Sequence, residues 1–338
     1  MSNQAAWIPA LKGRFKVDGA PYSSPGPEEV VIRNAAVAIN PVDWKIQTYG
    51  FLIQEFPNIL GVDVAGEVAE VGAEVKKVRK GDRVLGHALG LQTLQPKHAA
   101  FQHYTVIPAI AVAPIPDALS FERAAVLPLA ISTAAAGLFQ KEFLGLPYPT
   151  ENAKHTGKAI LVWGGSSSVG GSAIQLAKNA GVKVVTTASS KNHSYVKALG
   201  ADEVFDYNSP SVVEDIVKAL KGSEFAGVYD AISEEKTVKA SAAVADQLGG
   251  GIVATVIPPP EGLPSSVKAS SVFAVTIFTK DTAVGDAIYR DFIPTALRDG
   301  RLQAKPDPKV ITGGLSQVQE GVDLLKQGVS ASKVVVTL

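Results

Sequence analysis

The 338-residue chain contains no cysteine. That absence excludes disulfides, thiolate nucleophiles, iron–sulfur clusters and any cysteine-ligated zinc. Histidine is scarce too: His87, His98, His103, His155 and His193 are the five, and none forms an HxxxH or HExxH pair. A metal site built from histidines and carboxylates therefore finds no scaffold. An excess of charge of either sign is missing, since 32 basic residues balance 32 acidic ones. Nucleic acid and other polyanions are poor partners for such a chain. No apolar run approaches the ~20 residues of a membrane span. The opening MSNQAAWIPALKGRF has neither a basic start nor a continuous apolar core, so no signal peptide is expected and the cytosol is the expected address. Internal repeats and low-complexity segments are absent as well.

What is present is a large apolar complement, 46% of residues, with enough length for about two domains. Residues 1–125 read as mainly β. Short apolar runs (Glu29–Arg33, Ala35–Ile39, Ala65–Val71, Arg83–Leu85, Tyr104–Ile107) are separated by glycine, proline and aspartate, with one helical turn over Asn40–Tyr49. From Glu122 to Leu138 the chain is alanine-rich and predicts a helix. Residues 126–280 then alternate strand and helix patterns. The strands are expected at Ala159–Trp163, Val182–Thr187, Glu203–Asp206, Gly227–Ile232, Gly251–Val256 and Val272–Ile277. That alternation predicts an α/β fold with a doubly wound parallel sheet. Residues 281–338, with helices over Val284–Arg298 and Leu315–Lys326 and a strand over Lys333–Leu338, are too few for a core and are expected to return to the first domain.

The turn Gly164-Gly165-Ser166-Ser167-Ser168-Val169-Gly170 joins the first of those six strands to an amphipathic helix. Small residues there let a pyrophosphate approach backbone N–H groups at a helix N-terminus. Ser167 stands where the dinucleotide fingerprint has its middle glycine, and its hydroxyl is expected to bond the pyrophosphate. After the second strand a cofactor ribose would meet Ser189, Ser190 and Lys191, with no acid before Asp202. Two hydroxyls and an ammonium suit a 2′-phosphate, so NADP(H) is expected. The competing reading makes Lys191 a solvated helix start. Tyr207, after the third strand, is placed to cover the same phosphate.

In combination, NPVDWK (Asn40–Lys45), GVDVAGEVAEVG (Gly61–Gly72), KGDRV (Lys80–Val84), LPLAISTAAAGL (Leu127–Leu138), the turn and LGADEVFDY (Leu199–Tyr207) resemble the medium-chain dehydrogenase/reductase superfamily over nearly the whole chain. The resemblance implies a GroES-like β-rich catalytic domain split around a Rossmann domain. Zinc-dependent members carry a Cys near Asn40-Pro41 and a GHE motif where this chain has Gly61-Val62-Asp63, so the likeness falls to the zinc-independent quinone and enoyl reductases. Within that branch it is greatest to fungal trans-acting enoyl reductases that partner polyketide synthases. The resemblance implies hydride transfer from NADPH to a C=C bond conjugated to a carbonyl, in a small enone or an enoyl thioester on a carrier. A quinone reductase and a non-catalytic NADPH-binding partner are the alternatives. It also places Thr133 against the nicotinamide, Asn40 and Asp43 at the nicotinamide end, and Tyr49 near the proton-donor position, although strict alignment puts Phe51 there. Packing and turn-capping compete for each of these side chains. The last sheet strand leaves both a monomer and an edge-paired homodimer open.

Overall fold

The structure, a computed structural model, describes residues 2–338. It divides into two compact units. The first comprises residues up to Leu129, Ile293–Arg298 and Ala304–Leu338, and the second Ala130–Phe292 and Asp299–Gln303. Residues 281–292 thus cluster with the second unit rather than returning to the first.

In the first unit a seven-stranded sheet runs Asp307–Ile311, Ser332–Thr337, Glu29–Ala38, Asp63–Val71, Arg83–His87 and Val112–Pro114, with Tyr104–Pro108 also paired to Glu29–Ala38. The two apolar runs expected at residues 29–39 are one bent strand, whose register against Asp63–Val71 slips between Val31 and Ile32 and again between Asn34 and Ala36. Such irregularities bend a strand without ending it. Helix α1 (Pro41–Tyr49) starts with proline at its first turn, where the missing N–H costs nothing, and stops at Gly50, whose φ of 72° lets its N–H reach the Ile46 carbonyl at 2.9 Å.

The second unit holds six parallel strands, β1 (Lys158–Trp163), β2 (Lys183–Thr187), β3 (Glu203–Phe205), β4 (Glu224–Asp230), β5 (Gly251–Thr255) and β6 (Val267–Ser271), in the order β3-β2-β1-β4-β5-β6. Ala159, Leu161, Val185, Val228 and Val253 from four of these strands meet Ile216, Leu220, Val244 and Ala245 of covering helices in one dry core. Both faces of a parallel sheet are covered in this way, which is why its inner strands read as unbroken apolar runs. The last strand departs from expectation: β6 is Val267–Ser271, while Thr276–Thr279 is helical. An edge strand contributes little to the core and needs no apolar run, whereas Val272, Val275 and Ile277 are apolar because they are buried beyond it.

Two predicted helices also divide. The first becomes Phe121–Ala124 and α2 (Pro128–Phe139), because proline disfavours helical backbone in the residue before it. The whole stretch Phe121–Phe139 is long and apolar enough for a membrane span by composition, but most of it is buried inside the protein, as a core helix should be. The second opens into a wide π turn over Asp286–Phe292 just before Pro294, which accommodates the missing N–H of that proline.

Candidate active and cofactor sites

In the second unit the turn after β1 is built by its neighbours. Gly164 has φ 81°, and a Cβ there would lie 2.4 Å from Ile232 Cγ1. A Cβ on Gly165 would meet Thr186 Oγ1 at 2.2 Å, and one on Gly170 would meet the Gly164 carbonyl oxygen at 2.2 Å. Only hydrogen fits at these positions. Thr187 Oγ1 accepts the Gly164 N–H at 3.0 Å, so β2 holds the turn through a side chain that sequence reading missed. Helix α3 (Ser168–Asn179) follows directly.

Ser167 serves a different purpose from the one expected. Its Oγ accepts from Gly170 N at 3.0 Å and donates to the Gly164 carbonyl at 2.9 Å, which makes it the N-cap of α3. Both capacities of the hydroxyl are engaged by backbone, so an anion at this turn would meet N–H groups and not this side chain. Ser166, Ser168 and Val169 are half-buried along the same turn.

Ser189 is half-buried and Ser190 and Lys191 are exposed beyond β2, in a short turn that leads into the helix His193–Ala198. Tyr207 is 43% exposed beyond β3. The structure adds a group here that linear reading passed over. Thr187 and Phe205 are paired in the parallel register, and Ser190 Oγ donates to the carboxylate of Asp206. An acid distant in sequence therefore stands beside the three residues assigned to a phosphate.

Thr133 lies on α2, 9% exposed, and its carbonyl accepts from Tyr229 Oη at 2.7 Å. Burial and neighbouring Asp230 push the Tyr229 phenol well above its ordinary range, so it stays a neutral donor. A Cβ on Gly137 would come within 2.4 Å of the Tyr229 ring, which is what lets α2 lie close on β4.

The residues expected at the nicotinamide end lie in the first unit, in a buried polar cluster larger than the sequence disclosed. Asn40 Nδ2 donates to Asp63 Oδ2 at 2.7 Å, and Lys333 Nζ bridges Asn40 Oδ1 and Asp63 Oδ2, at 3.0 Å from the latter. Asp63 Oδ1 accepts from Leu129 N at 2.6 Å, at the start of α2. Asp43 Oδ2 accepts from Asn40 N at 2.7 Å. Burial drives the Asp43 carboxyl up to about 7, against the lowering effect of the Asn40 amide. Burial also holds His87 down to about 4, so its imidazole is neutral at neutral pH. Asn40 and Asp43 are 2% and 0% exposed, and the Asn40 amide and Asp43 Oδ2 are engaged in this network, so they position the start of α1. Tyr49 differs: it is 63% exposed, and its ring meets that of Trp44 at a tilt of 56° with centroids 6.0 Å apart. Of the missed members, Lys333 had one visible signal, a single charge within an apolar strand, while Asp63 shares its strand with Glu67 and Glu70 and had none.

A small-residue turn at the head of a 3-2-1-4-5-6 parallel sheet, with a helix N-terminus behind it, defines a dinucleotide-binding fold. Residues 26–117 match the alcohol dehydrogenase GroES-like domain, and 168–297 match the zinc-binding dehydrogenase domain. The chain is 45% identical to the trans-enoyl reductase himH of Aspergillus japonicus, over 99% of this chain and 97% of that one. It is 41% identical to the dehydrogenase orsE of Emericella nidulans, over 100% and 99%. Among solved structures it superposes on an alcohol dehydrogenase superfamily protein from Novosphingobium aromaticivorans with TM-score 0.81 and 26% identity, covering 99% of both chains. The chain belongs to the medium-chain dehydrogenase/reductase superfamily and has fungal trans-enoyl reductases among its homologues. It is an oxidoreductase of a family that works with nicotinamide cofactors.

The second domain's description raises the question of zinc, and the donor set does not fit it. No three His, Cys, Asp or Glu residues group as metal ligands among the described residues. Asn40 and Asp63, the polar side chains at the motifs where zinc relatives carry ligands, are bonded to an ammonium from this chain's own Lys333.

Proposed function

We propose that this protein is an NADPH-dependent, zinc-independent reductase of a C=C bond conjugated to a carbonyl, in a small enone or an enoyl thioester. The observation that carries this reading is the Asn40–Asp63–Lys333 cluster. Alcohol oxidation in zinc relatives draws on a Lewis acid at these motifs, and in this chain the polar side chains of the same motifs bond an ammonium, which supports a reaction that does without the metal. Conjugate reduction asks less of the protein: oriented donors for an enolate oxygen and a nicotinamide held near the β-carbon. Likeness to a trans-enoyl reductase along the whole chain supports the same chemistry.

In this reading the bound cofactor supplies the hydride. The backbone of Gly164–Gly170 holds its pyrophosphate, Ser189, Ser190 and Lys191 hold the 2′-phosphate, and Tyr207 covers it. Thr133, fixed through its carbonyl by Tyr229, borders the nicotinamide. Asn40 and Asp43 set the start of α1, and that helix carries Tyr49 at its far end as the candidate proton donor to the α-carbon. A carrier-bound thioester of a polyketide synthase-like partner and a cytosolic setting fit the same reading.

The test follows NADPH consumption with enoyl thioesters, alkenals, cyclic enones and quinones, on protein whose metal content has been measured. Turnover of enones or enoyl thioesters without stoichiometric zinc is expected. Quinone turnover alone, binding without turnover, or an activity that needs zinc would each overturn it.

A further inference from the structure

The loop beyond β2 holds two hydroxyls and an ammonium, a set that by itself favours a 2′-phosphate strongly. Its spatial neighbour changes that balance. Ala188 N bonds the Phe205 carbonyl at 3.0 Å, which carries the parallel pairing of β2 and β3 up to the point where Ser189–Lys191 and Asp206 begin. There the Asp206 carboxylate is fixed on both sides. Oδ1 accepts from Asn208 N and Asn208 Nδ2, each at 2.9 Å, and Oδ2 accepts from Ser190 Oγ. Lys191, next in the chain after Ser190, has no ion-pair partner among the described residues. The arrangement is a held anion engaging one of the three groups a phosphate would use, beside an ammonium left for another ligand.

We propose that Asp206 is a specificity-determining residue for the cofactor, one that narrows the preference for NADPH over NADH. This deepens the proposed function and rests on its placing the adenosine ribose at Ser189–Lys191. A 2′-phosphate arriving there must take the Ser190 hydroxyl from Asp206 and then sit next to its charge. NADH brings a neutral 2′-hydroxyl and meets neither cost. The hydrogen bonds from Ser190 and Asn208 also hold the Asp206 carboxyl below the usual carboxylate range, so the opposing charge persists at all ordinary pH.

The experiment measures dissociation constants of NADPH and NADH for the full-length wild type and for Asp206→Asn, at low and high salt. Asparagine keeps the bulk and most of the hydrogen bonding while removing the charge. The variant is expected to raise the NADPH:NADH affinity ratio by roughly 3- to 10-fold at low salt, mainly by tightening NADPH, with the gain shrinking as salt screens the repulsion. Lys191→Ala should move the ratio in the opposite direction. An unchanged or lower ratio in Asp206→Asn would overturn the proposal, as would equal weakening of both cofactors, the result expected if Asp206 only supports the loop. The wild-type ratio tests the underlying reading separately: a strong preference for NADH, or no binding of either, removes the 2′-phosphate site, whatever the variant does.

Discussion

At the scale of single residues, Lys333 is the most consequential side chain that sequence reading missed. Its side chain is 5% exposed against an Asp63 that is 0% exposed. Two charges so deep are tolerable only because each answers the other and Asn40 and the Leu129 amide satisfy the remaining oxygens. Lys333→Met strands a buried carboxylate and should lower the unfolding free energy by about 3–5 kcal/mol. The double variant Lys333→Met/Asp63→Asn leaves no unpaired charge and should recover a large part of that loss. Urea denaturation of the three proteins checks both expectations, and a double variant no better than the single would show that packing, rather than charge, sets the stability.

At the scale of elements, the turn and α3 depend on one hydroxyl and three absent side chains. Removing the N-cap in Ser167→Ala should cost about 1 kcal/mol of stability, because the Gly170 N–H loses its acceptor while the Gly164 carbonyl keeps only the Ser167 N–H. Gly170→Ala is the harsher change. Its methyl would sit 2.2 Å from a backbone carbonyl, which no rotamer can relieve, so the turn itself must move. Dinucleotide affinity is therefore expected to fall much further in Gly170→Ala than in Ser167→Ala, by a direct binding titration. Comparable losses would mean that Ser167 touches the ligand after all. The breaks in the predicted helices belong to this scale too. Pro128 and Pro294 mark both breaks, since neither has an N–H to give to a helix ladder.

At the scale of the whole molecule, two buried groups oppose each other in the dependence of stability on pH. The Asp43 carboxyl is raised from 3.8 to about 7, so the folded protein keeps a proton that the unfolded chain has lost. Its contribution is full below pH 3.8 and is lost as pH rises toward about 7. His87 is lowered from 6.5 to about 4, so its contribution is full above pH 6.5 and is lost as pH falls toward about 4. Over the shared window the two slopes have opposite sign and largely cancel in the wild type. Asp43→Asn should expose the His87 slope, with stability falling as pH drops from 6.5 to about 4. His87→Gln should expose the Asp43 slope, with stability falling as pH rises from 3.8 to about 7. Thermal melts across that range check the pair, and slopes of equal sign would refute the assignment.

The sequence by itself determined what depends on local pattern and on composition. Unbroken apolar runs specify strands covered on both faces, so β1, β2, β4 and β5 were legible to within a few residues, as was the small-residue turn that only a close backbone approach explains. A chain without cysteine closes off thiolate chemistry whatever its fold. The tertiary structure alone decided what depends on distance across the chain. It placed β6 at 267–271, where an edge strand needs no apolar signature, and it assigned residues 281–292 to the second unit. It brought Lys333 to Asn40 and Asp63, and Asp206 to Ser190. A charge's meaning lies in what surrounds it, and parallel strand pairing and burial set those neighbours at separations that no linear spacing reveals.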